Sequence, residues 1–152
     1  MRLLNDQEFM YEALVEAQKA FAKGEIPIGA VIVRDGEILA RDHNRREELH
    51  DPTAHAEILV MRQAGKILGG WRLPQTTLYV TIEPCPMCAG ALVQARVERV
   101  VFGAWDDKAG AVESLYNIAS DKRLNHRLEI TGGVLAEEAK VLMRQFFQMR
   151  RK

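Results

Sequence analysis

The sequence predicts a three-layer α/β/α sandwich built around a five-stranded mixed sheet. Two patterns support this prediction. First, segments with helical periodicity alternate with short β-branched runs, in the order α-β-β-α-β-α-β-(α)-β-α. Second, a tight turn joins the first two strands into an antiparallel hairpin, whereas helical crossovers between later strands favour parallel pairing.

The first helix and the hairpin have recognisable start and stop signals. Asn5 or Asp6 can cap a helix that Lys23-Gly24 ends. The apolar stripe of this helix consists of Met10, Ala13, Leu14, Ala17 and Phe21. The hairpin is predicted as a strand over residues 26–33, a turn over 34–37 and a return strand over 38–40.

Two further helices are predicted on either side of a buried strand over residues 77–82. The earlier helix begins near Thr53, and its apolar run includes Ile58, Leu59, Met61 and Leu68. The later helix begins beside Pro84, since proline is well tolerated in the first turn of a helix. It continues through Ala89, Ala91, Leu92 and Val93.

The last third of the chain completes the sheet. Short strands are predicted over residues 97–102 and 127–131, and Gly132-Gly133 ends the second of them. A terminal helix follows, with an apolar stripe made of Leu135, Ala139, Leu142, Phe146 and Met149. No linker or internal repeat interrupts the pattern, so residues 1–152 are expected to form one domain.

One imidazole and two thiols, in His55 and in Cys85 and Cys88, supply three zinc ligands. Three protein ligands leave one tetrahedral corner open, as in catalytic zinc sites, and the chain has only these two Cys. Glu57, two residues after His55, can handle protons at the open corner. The His55–Glu57 segment and the Cys85–Cys88 segment each lie at a predicted helix N-terminus. There the positive end of the helix dipole favours the thiolate form of a cysteine over the thiol. Because His55 and Glu57 point to different sides of a regular helix, they can share a site only beyond the helix end, with His55 in the first turn.

This combination is the known H-x-E…P-C-x-x-C signature of zinc deaminases that act on nucleobases. An alternative is a thioredoxin-like redox pair, because Cys85 and Cys88 follow a strand and open a helix. That alternative leaves the His55-Ala56-Glu57 segment unexplained.

Composition describes an ordinary globular protein. The chain has 152 residues, of which 47% are hydrophobic and 28% charged. It has no apolar run of membrane-spanning length. The N-terminus turns polar too early for a signal peptide, so a cytoplasmic protein without a membrane association is expected.

Net charge is zero, with 21 basic and 21 acidic residues, which alone disfavours a nucleic-acid binder. Basic residues nevertheless cluster in three places. They are Arg41, Arg45 and Arg46; Lys122, Arg123 and Arg127; and Lys140, Arg144, Arg150, Arg151 and Lys152. Each cluster alone is also typical of a solvated surface.

The chain resembles the bacterial tRNA adenosine deaminases of the cytidine-deaminase-like superfamily, from Ile26 to Arg151. The zinc motif marks only the superfamily, and further segments narrow the resemblance to the RNA-editing branch. The matching residues are Asn44, residues 52–57, residues 84–91, Phe102-Gly103-Ala104, Asp106 with Lys108, Asn125-His126-Arg127, and Phe146-Phe147 with Arg150-Arg151. Two positions depart from the usual pattern: Glu113 stands where Gly is common, and Ala139 where Cys is common.

The resemblance implies a homodimer that holds one zinc per chain and converts adenosine to inosine at the wobble position of a tRNA anticodon stem-loop. In that scheme water activated at the zinc attacks C6 of a flipped adenine, and Glu57 carries the protons. The resemblance further implies that Asn44 holds the base edge. It assigns the RNA path to Asp106, Lys108, Asn125, His126, Arg127, Phe147 and Arg150.

Two other functions stay open from the residues alone. The same scaffold can serve a deaminase of a free base or nucleoside, of the cytosine or guanine type. A zinc- or thiol-based binding module without turnover is the third possibility. The basic, aromatic terminal helix favours RNA, because an aromatic ring interleaved with arginines suits stacking on unpaired bases. Phe147 shares a helix face with Arg144 and Arg151, and the alternative is that it is a second core aromatic at the helix edge.

Overall fold

A computed structural model describes residues 4–150 as five helices packed on one five-stranded sheet. Arg151, predicted on the helix face with Phe147, lies outside the described residues. The helices are α1 (Asp6–Ala22), α2 (Arg46–Leu49), α3 (Ala56–Leu68), α4 (Pro86–Gln94) and α5 (Ala136–Arg150). The strands are β1 (Gly29–Arg34), β2 (Glu37–His43), β3 (Thr76–Ile82), β4 (Arg99–Ala104) and β5 (Glu129–Thr131), and a 3-10 turn spans Ile118–Ser120.

The sheet has the strand order β2-β1-β3-β4-β5 and is mixed, which confirms the predicted class. β3 pairs with β4 and β4 with β5 in parallel, as expected for strands joined by crossovers. The prediction that only the hairpin is antiparallel was wrong, because β1 is antiparallel to both β2 and β3. β1 inserts between β2 and β3, so the α3 crossover joins strands that run the same way without being neighbours.

Alternate residues of the strands bury two separate cores, one on each face of the sheet. Ile32, Leu78, Val80 and Phe102 pack beneath α3 and α4. Val31, Tyr79 and Val101 face α1 on the other side. A third cluster at the ends of β3 and β4 joins α1 and α5, and it consists of Leu14, Ile82, Ala104 and Ala139. The three layers are therefore a helix pair, the sheet and a second helix pair.

Local chemistry explains the first elements. Asn5 accepts a hydrogen bond from the Glu8 N–H at 3.0 Å, and the Glu8 carboxylate accepts one from the Asn5 N–H at 3.4 Å, which is a capping box. The hairpin turns at Asp35 and Gly36, whose φ angles are 53° and 76°. Two successive positive φ values define a type I′ turn, the form that matches the twist of paired strands.

Several predicted element boundaries were wrong. β1 begins at Gly29, since Ile26 and Ile28 form a turn in which the Ile28 N–H bonds the Ile26 carbonyl at 2.8 Å. β4 begins at Arg99, because the Val97 N–H closes the end of α4 on the Leu92 carbonyl at 3.2 Å. β5 is shorter than predicted and starts at Glu129. Met149 was predicted in the core but is 64% exposed, whereas Phe146 and Ala139 of the same stripe are buried.

Candidate active site

The three predicted metal ligands meet where two helices begin. His55 is the N-cap residue of α3, and Cys85 is the N-cap residue of α4. Cys88 lies in the first turn of α4, and Pro86 is the first residue of that helix. The expectation that α3 starts near Thr53, with His55 in its first turn, was wrong by a few residues. Residues 51–53 form an Asx turn instead, in which the Thr53 N–H donates to the Asp51 carboxylate at 2.8 Å.

The distances from His55 to the two cysteines are those that a tetrahedral zinc ion requires. The Nδ1 atom of His55 lies 3.7 Å from Sγ of Cys85 and 3.5 Å from Sγ of Cys88. Zinc bonds of about 2.3 Å to sulfur and about 2.0–2.1 Å to nitrogen, at a tetrahedral angle, separate the two ligand atoms by about 3.6 Å. The three side chains therefore form a possible metal-binding group. With two thiols and one imidazole, they fit a zinc ion that keeps one coordination position open.

The charges at this group favour a cation. A hydrogen bond from Cys88, together with one from His55, lowers the pKa of the Cys85 thiol to about 4. The hydrogen bond to Cys85 and burial raise the pKa of Cys88, so that only one of the two thiols is ionised without a cation. The hydrogen bond with Cys85 raises the pKa of His55. A divalent cation would replace the shared protons, because a coordinating thiol is deprotonated.

Glu57 lies in the first turn of α3, next to the ligands, and is 4% exposed. Burial raises the pKa of its carboxyl to about 7, against the opposing effect of the His55 charge. A carboxyl group with a pKa near neutrality can both accept and donate protons at physiological pH, as a general acid–base catalyst must. His55 precedes the first turn of α3 and Glu57 lies within it, so both side chains can reach one site at the N-terminal end of the helix.

A cavity of about 400 Å³ opens onto this group. Apolar side chains from the 26–28 turn, β3 and α5 form part of its wall, including Ile26, Ile28, Ile82 and Met143. Seven of the predicted functional residues line it: Asn44, His55, Glu57, Cys85, Asp106, Lys108 and Phe147. Asn44 is buried, and its side-chain oxygen accepts the Arg46 N–H at 3.2 Å. Phe147 is 42% exposed, so its ring is available at the mouth of the cavity.

Four predicted RNA contacts do not line this cavity. Asn125 is exposed, and His126 donates through Nε2 to the Val97 carbonyl at 2.7 Å. Arg127 donates to the Lys122 carbonyl at 3.0 Å. Arg150 donates to the Gly24 carbonyl, and its guanidinium lies 4.7 Å from the centre of the Phe146 ring. These side chains are therefore outside the immediate reach of a base held at the metal group.

Acidic side chains pair with two of the three arginines in the cluster of Arg41, Arg45 and Arg46. Arg41 pairs with Glu12 at 2.9 Å and with Glu16 at 2.8 Å. Arg45 pairs with Asp42 at 2.6 Å and with Glu48 at 2.7 Å. Arg46, by contrast, lines the cavity. Only part of the predicted basic surface is thus available to a polyanion.

A second group of potential metal-binding side chains, Glu16, Asp42 and His43, lies in the interior. Nδ1 of His43 is 3.2 Å from the Glu16 carboxylate, and Lys19 and Arg41 bind the other Glu16 oxygen at 2.8 Å each. Burial opposes the ionisation of Glu16, but these hydrogen bonds lower its pKa to about 2. The cationic side chains already balance the carboxylates, so this group is a buried ion-pair network and does not fit a metal ion.

Sequence reasoning missed two arrangements at the site. Glu83 is buried at the end of β3 and lines the cavity, although an acidic residue that follows an apolar strand was a detectable signal. Burial opposes its ionisation, yet hydrogen bonds from Ser114 and from backbone N–H groups lower its pKa below the ordinary value. Glu113, which had no assigned role, accepts a hydrogen bond from the Trp105 indole at 3.0 Å.

Comparison with known proteins identifies close relatives. Residues 4–151 match the MafB19-like deaminase family. The chain is 53% identical over 150 residues to a tRNA-specific adenosine deaminase of Bacillus subtilis, covering 99% of this chain and 93% of that one. It is 49% identical over 148 residues to the tRNA-specific adenosine deaminase of Haemophilus influenzae, covering 97% and 86%.

Solved structures agree with this relationship. A structure from a study of A-to-I editing by tRNA:A34 deaminases at the wobble position of transfer RNA superposes with a TM-score of 0.85. It is 48% identical, and the match covers 88% of this chain and 97% of the other. A guanine deaminase from Nitrosomonas europaea superposes with a TM-score of 0.80 at 26% identity, over 95% and 86% of the two chains.

Proposed function

This chain belongs to the MafB19-like deaminase family and, within it, to the tRNA-specific adenosine deaminases, and on that premise we propose that it converts adenosine to inosine at the wobble position of a tRNA anticodon. The reaction consumes water and releases ammonia. The observation that carries the substrate assignment is the 53% identity to a tRNA-specific adenosine deaminase over nearly the whole chain.

His55, Cys85 and Cys88 hold one zinc ion per chain in this proposal, through Nδ1 and two Sγ atoms. The spacing of these atoms, 3.5 and 3.7 Å, supports it. When bound in a site with an open position, zinc lowers the pKa of a water molecule and so provides a nucleophile at neutral pH.

Glu57 moves the protons of the reaction. Its carboxylate takes a proton from the attacking water and delivers it to N1 of the adenine. It then passes the proton of the new C6 hydroxyl to the departing amine, so that ammonia leaves and the C6 carbonyl forms. Burial raises the pKa of this carboxyl above its ordinary value, which supports a group that both accepts and donates protons. Asn44 holds the base edge inside the cavity, and Phe147 stacks at its mouth, where its exposure supports contact with an unpaired base.

Asp106 and Lys108 contact the substrate next to the cavity, which they line. Asn125, His126, Arg127 and Arg150 contact the RNA further from the reacting base. His126, Arg127 and Arg150 also make hydrogen bonds within the chain, so any RNA contact uses Nδ1 of His126 and the remaining N–H groups of the two arginines. Their proposed contribution is thus to binding more than to the chemical step.

Residues 1–152 are proposed to form one deaminase domain. Two copies of the chain are proposed to associate as a homodimer. Support comes from an apolar groove of about 810 Å³ on the outer face of α3 and α4. Trp71 lines this groove and is 60% exposed, and large exposed apolar patches mark interaction surfaces. The proposed location is the cytoplasm, where tRNA is found and thiols stay reduced. Among residues 4–150, no helix has the length and apolar character needed to cross a bilayer.

A deaminase of free guanine is the alternative, favoured by the likeness to the Nitrosomonas europaea enzyme. The experiment that separates the two measures turnover of an anticodon stem-loop beside free adenosine, cytidine and guanine. Purified protein is also incubated with total tRNA, which is then sequenced for inosine at the wobble position. Equal or better activity on a free compound would falsify the tRNA assignment and leave the deaminase chemistry intact.

A further inference from the structure

Glu83 occupies the junction between the metal-ligand turn and a long loop that follows β4. The residue comes directly after β3 and two positions before Cys85. Its own N–H donates to the Ala104 carbonyl at the end of β4, at 2.8 Å. The side chain is 3% exposed and enters the space enclosed by residues 106–114.

Five donors converge on this one carboxylate. Oε1 accepts the Asp106 N–H at 3.0 Å and the Ser114 hydroxyl. Oε2 accepts the N–H groups of Val112, Glu113 and Ser114 at 3.1, 2.7 and 2.8 Å. All five donors belong to the loop, and four of them are backbone N–H groups that Glu83 satisfies.

The loop is shaped around this carboxylate. A Cβ atom at Gly110 would lie 2.3 Å from Oε1 of Glu83, so only glycine permits the approach. The next residue, Ala111, donates its N–H to the Pro84 carbonyl at 2.8 Å. The loop is thus attached to both Glu83 and Pro84, immediately before Cys85.

The same loop carries the substrate side of the cavity. Asp106 is fixed at its N–H by Glu83, and its carboxylate accepts the N–H groups of Lys108 and Ala109 at 3.0 and 3.2 Å. Asp106, Lys108 and Ala109 line the cavity beside His55 and Cys85. A displacement of the loop would move these residues relative to the metal group.

We propose that Glu83 is a positioning residue, which fixes the Asp106–Ser114 loop against the metal-ligand turn so that Asp106 and Lys108 face the substrate. This inference rests on the proposed function only for the identity of the substrate. Glu83 touches no reacting atom in this role, and it acts through the loop.

The test is Glu83→Gln in the zinc-loaded protein. A glutamine of equal size has one oxygen acceptor, and its NH2 group would oppose backbone N–H groups, so five donors cannot be satisfied. Zinc content should stay at the unaltered level. Amide exchange at residues 106 and 112–114 should accelerate at least about tenfold. The KM for an anticodon stem-loop should rise about tenfold, with kcat changed less than about threefold.

Asp6→Asn is the matched control for lost stability. Asp6 binds Arg99 through two hydrogen bonds of 2.9 and 2.7 Å at the opposite end of β4. This variant should lower the melting temperature but leave KM and loop exchange unchanged. An equal rise in KM for Asp6→Asn would mean that general destabilisation explains the effect, and it would overturn the proposal.

Ser114→Ala serves if Glu83→Gln fails to fold, because it removes one hydroxyl donor and leaves four. It should accelerate exchange in the loop and raise KM about two- to fivefold, with zinc retained. An unchanged rate of amide exchange in the loop of folded Glu83→Gln contradicts the proposal. If Glu83→Gln does not fold, an unchanged rate in Ser114→Ala contradicts it. If the unaltered chain does not deaminate the stem-loop, the proposed function fails, and amide exchange alone decides the role of Glu83.

Discussion

Single side chains at the beginnings of α3 and α4 determine the proposed chemistry. Cys85→Ser and Cys88→Ser should each lose the zinc, because a hydroxyl is a far weaker zinc ligand than a thiolate. Elemental analysis of protein purified without chelator measures this directly. Met87→Ala is the control, since Met87 lies between the two cysteines and is exposed. Full zinc content in Cys85→Ser would remove the basis of the metal assignment.

Glu57→Ala should keep the zinc and the fold but slow deamination by about 10²–10⁴-fold or more, because one group carries several proton transfers. Single-turnover assays on the stem-loop isolate the chemical step, and elemental analysis checks the metal. Near-normal turnover with zinc in place would exclude the role assigned to Glu57.

Ionised Glu16 is expected to contribute to the free energy of unfolding, and this contribution should be lost in acid. Its pKa falls from 4.5 in the unfolded chain to about 2 in the folded protein. The stabilisation is complete above pH 4.5 and is lost as the pH falls towards 2, because protonation removes the charge that Lys19 and Arg41 bind. Glu16→Gln should therefore cost roughly 3 kcal/mol of unfolding free energy at pH 7 and little at pH 2.

Glu12→Gln is the comparison for that measurement. Glu12 pairs with the same Arg41 but is one-third exposed, so its loss should cost less than about 1 kcal/mol at any pH. Urea denaturation at several pH values supplies both series. Equal costs for the two variants would contradict the buried-network interpretation.

The candidate metal ligands and Glu57 were easier to recognise in the sequence than the residues that hold the site in place. His55 with Glu57, and Cys85 with Cys88, form two short motifs whose combination has a known chemistry. The hydrogen-bond donors of Glu83 lie 23 to 31 positions further along the chain. His43 and Glu16, which also bond to each other, are 27 positions apart. Such contacts depend on tertiary packing, which local periodicity does not encode.

Among the elements, α5 links the core to the cavity mouth. Phe146 is buried against Phe21 with ring centres 5.9 Å apart, whereas Phe147 lines the cavity. Phe147→Ala should cost about 1–3 kcal/mol of stem-loop binding if the ring stacks on a base. Met149→Ala is the control, because Met149 lies on the same helix and is more exposed. Filter binding at fixed salt measures both, and equal effects would argue against stacking.

Truncation after Gln148 tests the basic end of the same helix. It removes residues 149–152, including Arg150, Arg151 and Lys152. Stem-loop binding should weaken and its salt dependence should become shallower, because fewer phosphates are neutralised. Zinc content should not change. A salt slope equal to that of the full chain would show that these residues contact no phosphate.

Element types were predictable and element ends were not. Helical and strand periodicity identified each long element, but Ile26 and Ile28 owe their apolar character to the cavity wall and not to a strand. Thr53 looked like a helix cap, yet its N–H and hydroxyl both bind Asp51. Turn hydrogen bonds of this kind compete with helix starts, and sequence alone does not rank them.

For the whole molecule, the α3–α4 face tests the proposed dimer. Light scattering should give about twice the chain mass of 17.2 kDa. Trp71→Lys should shift the protein to monomer, since it removes an exposed indole and adds charge beside Arg72 and Arg96. Tyr11→Lys is the control, because Tyr11 is equally exposed, at 60%, on α1 across the sheet. Dimers in both variants would exclude this face as the interface.

The separation of the metal ligands along the chain has a consequence for folding. His55 precedes Cys85 by 30 residues, and the segment between them contains all of α3 and β3. An ion bound to both ends closes this segment into a ring, as a disulfide would. Ring closure of that length removes about 3–4 kcal/mol of chain entropy from the unfolded state. The metal would then act as a reversible cross-link, and its capture would coincide with the docking of β3 beside β1.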